Sequence, residues 1–157
     1  MHILLTRPLE DCSKMILKFQ SLGHKVSHLP LIRIEKIDYG EINFSEYSGI
    51  IFTSANAVKF LNIEKLDKKI KCFCVGSVTE KKARSIGFQN TISAEGNVAN
   101  LKELILQSYE VKNKGLIYVS GEKISVDLDQ QLASEGFNIK RIINYRVNHN
   151  QKFDAKF

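Results

Sequence analysis

The chain has 157 residues, 43% of them hydrophobic and 25% charged, the balance of a soluble globular protein with room for one domain, or one domain and a piece of another. No apolar run approaches the roughly 20 residues a membrane helix needs. The net charge of +6 suits an acidic partner, but the lysines (Lys65, Lys68, Lys69, Lys71, Lys81, Lys82, Lys112, Lys114) are scattered rather than gathered into an aromatic-interleaved strip, which argues against nucleic acid.

In chain order, His2 to Thr6 reads as a buried strand stopped by Arg7-Pro8. Glu10 to Leu22 follows as a helix with Met15, Ile16, Phe19 and Leu22 on one face, and Gly23 fits its C-terminal cap. Lys25 to Leu29 is a second strand. Leu31 to Ile37 alternates apolar and charged residues, the pattern of an extended strand or connector rather than a buried central strand. Because a strand starts at the N-terminus, no signal peptide is expected, and the cytoplasm is the simple inference.

After the turn Tyr39-Gly40-Glu41, strands and helices alternate. Strand Gly49 to Thr53 leads to a helix from about Asn56 to Leu61. Strand Cys72 to Val75 leads to helix Val78 to Ile86. A short strand at Thr91-Ile92 precedes a helix from Ala99 to about Tyr109. Strand Leu116 to Val119 leads to helix Val126 to Glu135, and strand Ile139 to Tyr145 closes the series. This spacing predicts an α/β fold with a doubly wound, flavodoxin-like parallel sheet covered by helices on both faces. Residues 1–35 have too few strands to bury both faces of a sheet on their own.

Two strand-to-turn junctions, Gly49 to Val58 and Lys71 to Thr79, carry small hydroxyl residues where an apolar run gives way to a helical pattern. In open α/β sheets ligands bind at the carboxyl ends of strands, so these loops predict an anion-receptive edge. Cys72 and Cys74 fall on one face of a strand, as buried thiols of a reducing compartment do. With Cys12 they make neither a disulfide framework nor, with His2, His24, His28 and His149, a zinc spacing.

Several ordered segments resemble the uroporphyrinogen-III synthase family. They are Ile-Leu-Leu-Thr-Arg-Pro at 3–8, Ile-Phe-Thr-Ser-Ala-Asn-Ala-Val at 51–58, Cys-Val-Gly-Ser-Val-Thr at 74–79, Ser-Ile-Gly-Phe at 85–88, Gly-Asn-Val-Ala-Asn-Leu at 96–101 and Gly-Phe-Asn-Ile-Lys-Arg-Ile-Ile-Asn-Tyr-Arg-Val at 136–147. The resemblance implies two flavodoxin-like domains joined by a two-stranded linker. Residues 1–35 would then begin domain one, 36–147 would form a complete domain two with its flanking linker strands, and 148–157 would be a shortened return linker. On that reading about 80–100 residues of domain one are missing, by the usual domain size. The expectation is then a monomer of impaired activity, or a second chain that completes domain one.

The activity implied is cofactor-free and metal-free: cyclisation of hydroxymethylbilane, a linear tetrapyrrole polycarboxylate, with inversion of ring D to give uroporphyrinogen III. The resemblance gives Tyr145 the catalytic role of donating to the leaving hydroxyl, against an ordinary amphipathic tyrosine at a strand end. The substrate-binding candidates are Arg7, Ser54, Gly76, Thr79, Gly96, Asn97 and Gly121. Ser54, Thr79 and Asn97 read equally as helix caps, Arg7 as a surface arginine, and Gly76 and Gly121 as tight turns or close approaches.

The alternative functions are a non-catalytic anion-binding module of the same fold, or an inactive remnant. A nucleotide or flavin binder is disfavoured because no G-x-G-x-x-G or Walker-type glycine run is present. A phosphoacceptor domain is disfavoured because the strand ends carry Thr6-Arg7 and Thr53-Ser54 instead of clustered acids.

Overall fold

The computed structural model describes residues 1–150, which form two compact units. The smaller comprises Met1–Glu35 together with residues 146–150; the larger is Lys36–Tyr145.

In the smaller unit, β1 (His2–Leu5), α1 (Leu9–Ser21) and β2 (Lys25–His28) make a parallel β-α-β unit. Gly23, at φ +79°, lets the chain leave the helix in the left-handed conformation. Two strands offer little to pack against, and Cys12 is the buried residue of the helix. Of the predicted apolar face, Ile16 and Phe19 are half-buried, whereas Met15 and Leu22 are exposed, as are Leu9 and Leu17. Residues 148–150 do not run free: Asn148 and His149 lie in the last strand, and Asn150 donates to the carbonyls of Pro30 and Leu31. The rest of the predicted tail, 151–157, lies outside the described residues.

The larger unit holds β4 (Tyr47–Phe52), α2 (Ala55–Lys59), β5 (Lys71–Val75), α3 (Gly76–Ser85), β6 (Asn90–Ala94), α4 (Val98–Ser108), β7 (Gly115–Gly121), α5 (Leu128–Ser134) and the first part of β8 (Ile139–His149). The strands lie in the order β8-β7-β4-β5-β6 and every neighbouring pair is parallel. β3 (Ile32–Lys36), the expected connector, flanks β8 at the edge. Alternating βα units with a parallel sheet make this the flavodoxin-like α/β fold.

β4, the first strand of the unit, is its middle one. The chain adds β5 and β6 on one side, then returns to add β7 and β8 on the other. Counted within the unit the order is 3-2-1-4-5, whereas flavodoxin itself has 2-1-3-4-5; both doubly wound orders contain one reversal.

The middle strands are apolar without alternation because both of their faces are covered. Ile50, Phe52, Cys72, Cys74, Ile117 and Val119 face α2 and α3, where Ala57, Val58 and Ala83 meet them. Ile51, Phe73, Leu116 and Tyr118 face α4 and α5, against Leu101, Ile105, Leu128 and Leu132. The Cys72 and Cys74 thiols are free and fully buried with their sulfurs 3.8 Å apart. The contact with Cys74, together with burial, pushes the Cys72 thiol up, so it stays protonated. No helix among the described residues is long and apolar enough to cross a membrane.

Candidate functional site

At the reversal of a doubly wound sheet the two neighbouring strands send their helices to opposite faces, and a crevice opens at their carboxyl ends. Here those strands are β4 and β7. α2 packs on one face and α5 on the other. A cleft of about 170 Å³ lies at that point, lined by Thr53 and Ser54 after β4, Tyr118 and Gly121 on β7, the loop Lys123–Val126, Val98 of α4 and Tyr145 of β8.

Tyr145 owes its direction to an irregularity in the sheet. Ser120 of β7 is opposite Ile143 and Gly121 is opposite Tyr145, which leaves Asn144 as one extra residue in β8. Such a bulge bends the strand and re-aims the side chains beside it. The extra residue is held from two sides: its carbonyl accepts from Ile37 N–H, and its Nδ2 donates to Ala57 O of α2 at 2.8 Å. The Tyr145 ring then lies over Gly121, where any Cβ would be 2.7 Å from Cζ. Gly121 is glycine because the ring occupies the space of a side chain.

The hydroxyls converge. Ser54 Oγ accepts from Asn56 N–H at 3.2 Å, so it caps α2 and lines the cleft at once. Thr53 Oγ1 and Tyr118 Oη are 3.3 Å apart. Burial pushes the Tyr118 phenol up, partly offset by the hydrogen bond with Thr53 and by the Arg141 charge. Tyr118 is therefore a neutral donor at any physiological pH. Among the residues lining the cleft Lys123 is the charged one.

Of the sequence-predicted residues, Ser54, Gly121 and Tyr145 meet in this cleft. Gly76, Thr79, Gly96 and Asn97 do not line it. Gly76 opens α3 with φ +76°. Thr79 is buried within α3, whose cap position is Val75, so the reading of Thr79 as a helix cap is corrected. Asn97 caps α4 in a reciprocal capping box with Asn100, and Gly96 precedes it at φ +97°. Arg7 belongs to the smaller unit, where it is exposed and its carbonyl accepts from His28 Nε2 at 2.8 Å. Among the described residues no three His, Cys, Asp or Glu side chains form a metal-ligand cluster.

Thr53 lies in the first of the two hydroxyl-bearing junctions read from the sequence, whereas Tyr118, Lys123 and Arg141 were not among the candidates. Tyr118 is hidden within the apolar run of β7, and its one signal is a hydroxyl within a stretch otherwise buried on both faces. A larger concavity, about 600 Å³, is formed by Lys36 and residues 38–44 with Asn62 and Lys65. It contains none of the predicted site residues, and its charges are mixed (Lys36 and Lys65, Asp38 and Glu41).

Known proteins bear on this site in three ways. A family model described as uroporphyrinogen-III synthase HemD matches residues 13–157. The porphyrin biosynthesis protein HemD of Ruminiclostridium josui is 26% identical over 161 residues, covering 94% of this chain and 32% of that protein. Among solved structures, uroporphyrinogen-III synthetase from Helicobacter pylori 26695 superposes with a TM-score of 0.65 at 18% identity, covering 99% of this chain and 65% of that one. A selenomethionine mutant of the uroporphyrinogen III synthase from Thermus thermophilus gives 0.61 at 14%, covering 96% and 64%. These structural likenesses show the fold. The chain thus spans about a third of the curated relative and just under two thirds of the solved ones.

Proposed function

The chain belongs to the uroporphyrinogen-III synthase HemD family, and we propose that its cleft serves that reaction: closure of hydroxymethylbilane to uroporphyrinogen III, with inversion of ring D, in tetrapyrrole and heme biosynthesis. The observation that carries the reading is the bulge at Asn144, which turns Tyr145 toward Ser54 and Gly121 at the reversal point of the sheet. A ligand cleft is expected at that point.

In this reading the Tyr145 phenol donates a hydrogen bond to the departing hydroxyl, and the neutral Tyr118–Thr53 pair lies ready to hydrogen-bond the substrate from the floor. Ser54 and the Gly121 backbone receive the acetate and propionate arms, with Lys123 pairing one of them. Gly76, Thr79, Gly96, Asn97 and Arg7 take part only where a long substrate extends beyond the 170 Å³ cleft. Catalysis is then chiefly positioning and charge stabilisation, effects that supply about 7–11 kcal/mol in well-oriented systems. The net charge of +6 supports a polyanionic small molecule. Scattered lysines argue against nucleic acid, and three free thiols support a reducing, cytoplasmic setting.

The deciding assay incubates hydroxymethylbilane with the full-length natural protein and separates the products. Isomer III in excess over the spontaneously formed isomer I is expected, and Tyr145→Phe should lower that excess rate at least tenfold. Isomer I alone from the unmodified protein would overturn the reading.

A further inference from the structure

Arg141 has no place in the reading above, yet it makes the densest set of polar contacts beside the cleft. It lies on β8 opposite Tyr118 of β7. Its Nε donates to Ser120 Oγ at 2.8 Å, and its Nη2 donates to Gly121 O at 2.8 Å and Glu122 O at 3.0 Å. Ser120 Oγ donates in turn to Gly121 O at 3.0 Å. One planar fork thus gathers three consecutive residues at the point where β7 gives way to the cleft-lining loop.

The loop leads from β7 into α5. α5 begins at Leu128, and Asp127 at its cap position makes no side-chain capping bond. Gly121, the last residue of β7, is buried and Glu122 is exposed, and a buried carbonyl left without a partner is costly. The guanidinium donates to the carbonyls of both. Glu122 also donates its N–H to Tyr145 O at 2.9 Å, so whatever fixes Glu122 also fixes the backbone of Tyr145.

We propose that Arg141 is a positioning residue for the cleft. Its fork to Ser120, Gly121 and Glu122 sets the place of the loop 121–126 and, through the Glu122 N–H, of the Tyr145 phenol. Arginine is required because a lysine ammonium has neither the planarity nor the separate Nε and Nη donors to meet three acceptors along one stretch of chain. The inference concerns how the loop is held; its catalytic consequence rests on the function proposed above.

The test uses the full-length protein with Arg141→Lys, which keeps the charge, and Ser120→Ala, a milder change that removes the Nε acceptor and the hydroxyl's own bond to Gly121 O while leaving both Nη2 bonds in place. Two readouts are taken: amide hydrogen exchange, and steady-state formation of isomer III. Arg141→Lys should speed exchange at residues 121–126 at least tenfold while β4 and β5 stay as in the wild type. It should lower kcat by about 10–100-fold, the scale expected of a misplacement of about 1 Å, with KM moving less than threefold. Ser120→Ala should shift both readouts in the same direction by about threefold, and it decides the matter if Arg141→Lys does not fold. Unchanged exchange in a folded variant overturns the clamp, and faster exchange with kcat within twofold of wild type overturns its role in positioning. If the wild type yields no isomer III, the functional reading fails, and exchange alone then judges the clamp: faster sustains it, unchanged overturns it.

Discussion

Replacing Gly121 with alanine separates the geometry of Tyr145 from the stability of the fold. The Gly121 backbone lies outside the left-handed region, so alanine brings no backbone strain. The conflict is with one neighbour: the new Cβ would be 2.7 Å from Tyr145 Cζ, 2.8 Å from Cε2 and 3.0 Å from Oη. Ordinary contact begins at 3.4 Å, and 3.4 − 2.7 leaves about 0.7 Å by which the ring has to withdraw. The obstacle is the free end of a side chain, so the ring swings aside at the cost of an off-rotamer torsion, about 0.5–1.5 kcal/mol. The phenol, however, is then displaced on a scale at which reaction rates fall by up to about 100-fold. Gly121→Ala should therefore unfold within about 1.5 kcal/mol of the wild type in a urea titration, yet form isomer III about 10–100-fold more slowly. The double variant with Tyr145→Phe should be no slower than Tyr145→Phe alone, within about twofold, because both changes remove the same group. Losses that simply multiply in the double variant, or a Gly121→Ala rate within twofold of wild type, would refute the reasoning.

Glu80 is predicted to make the fold sensitive to acid. Its carboxylate accepts from Ser93 Oγ at 2.6 Å, Arg84 Nη2 at 2.9 Å and Thr91 Oγ1 at 2.9 Å, and these bonds, Ser93 first, hold its carboxyl below the usual range. A depressed carboxylate stabilises the fold above its unfolded value of 4.5 and loses that contribution as pH falls through the folded value. Glu80→Gln should therefore narrow the gap in urea midpoint between pH 6 and pH 3, and an unchanged gap would refute the assignment. Asn144→Leu should destabilise by about 1–3 kcal/mol, since it leaves the Ala57 carbonyl buried without its partner. Equilibrium unfolding monitored by circular dichroism reads it, and a loss below about 0.5 kcal/mol would show that α2 does not depend on that bond.

The fold was largely legible because its signals are local. Apolar runs of strand length, each followed by a helical period, appear at β4, β5 and β7, and a parallel sheet follows from them without further information. Boundaries shifted for identifiable reasons. α3 begins at Gly76, before the predicted Val78, because the glycine at φ +76° turns directly from strand into helix. β8 runs on past Tyr145 to His149, where Glu35 accepts from Asn148 within it and Leu31 from Asn150 just beyond it. No pattern within β8 announces a neighbour so distant in the chain.

The site was legible only in part, and the candidates that lie outside the cleft share a cause. Ser54, Gly76, Thr79, Gly96, Asn97 and Gly121 share one feature, that each is a small or polar residue near the carboxyl end of a strand. That feature marks strand ends, but the crevice belongs to the two ends that flank the reversal, and which strands those are depends on strand order. Ser54 follows β4 and Gly121 ends β7, so both line the cleft; Gly76 and Gly96 follow β5 and β6, on the far side of β4, and do not. Tyr145 is a different case. It follows an extra residue in β8, and an uninterrupted run such as Ile142-Ile143-Asn144-Tyr145 gives no sign of where a bulge falls, since side-chain alternation is a property of pairing and not of one strand. The two features the sheet does display are a buried asparagine on β8 and a glycine opposite the tyrosine on β7. Both make sense only together: Asn144 has to be polar to hold Ala57 and keep the bulge in place, and Gly121 has to lack a side chain to admit the ring that the bulge redirects. A sequence in which Asn144 became apolar while Gly121 stayed glycine would keep the space for the ring and lose the bond that fixes the bulge aiming it.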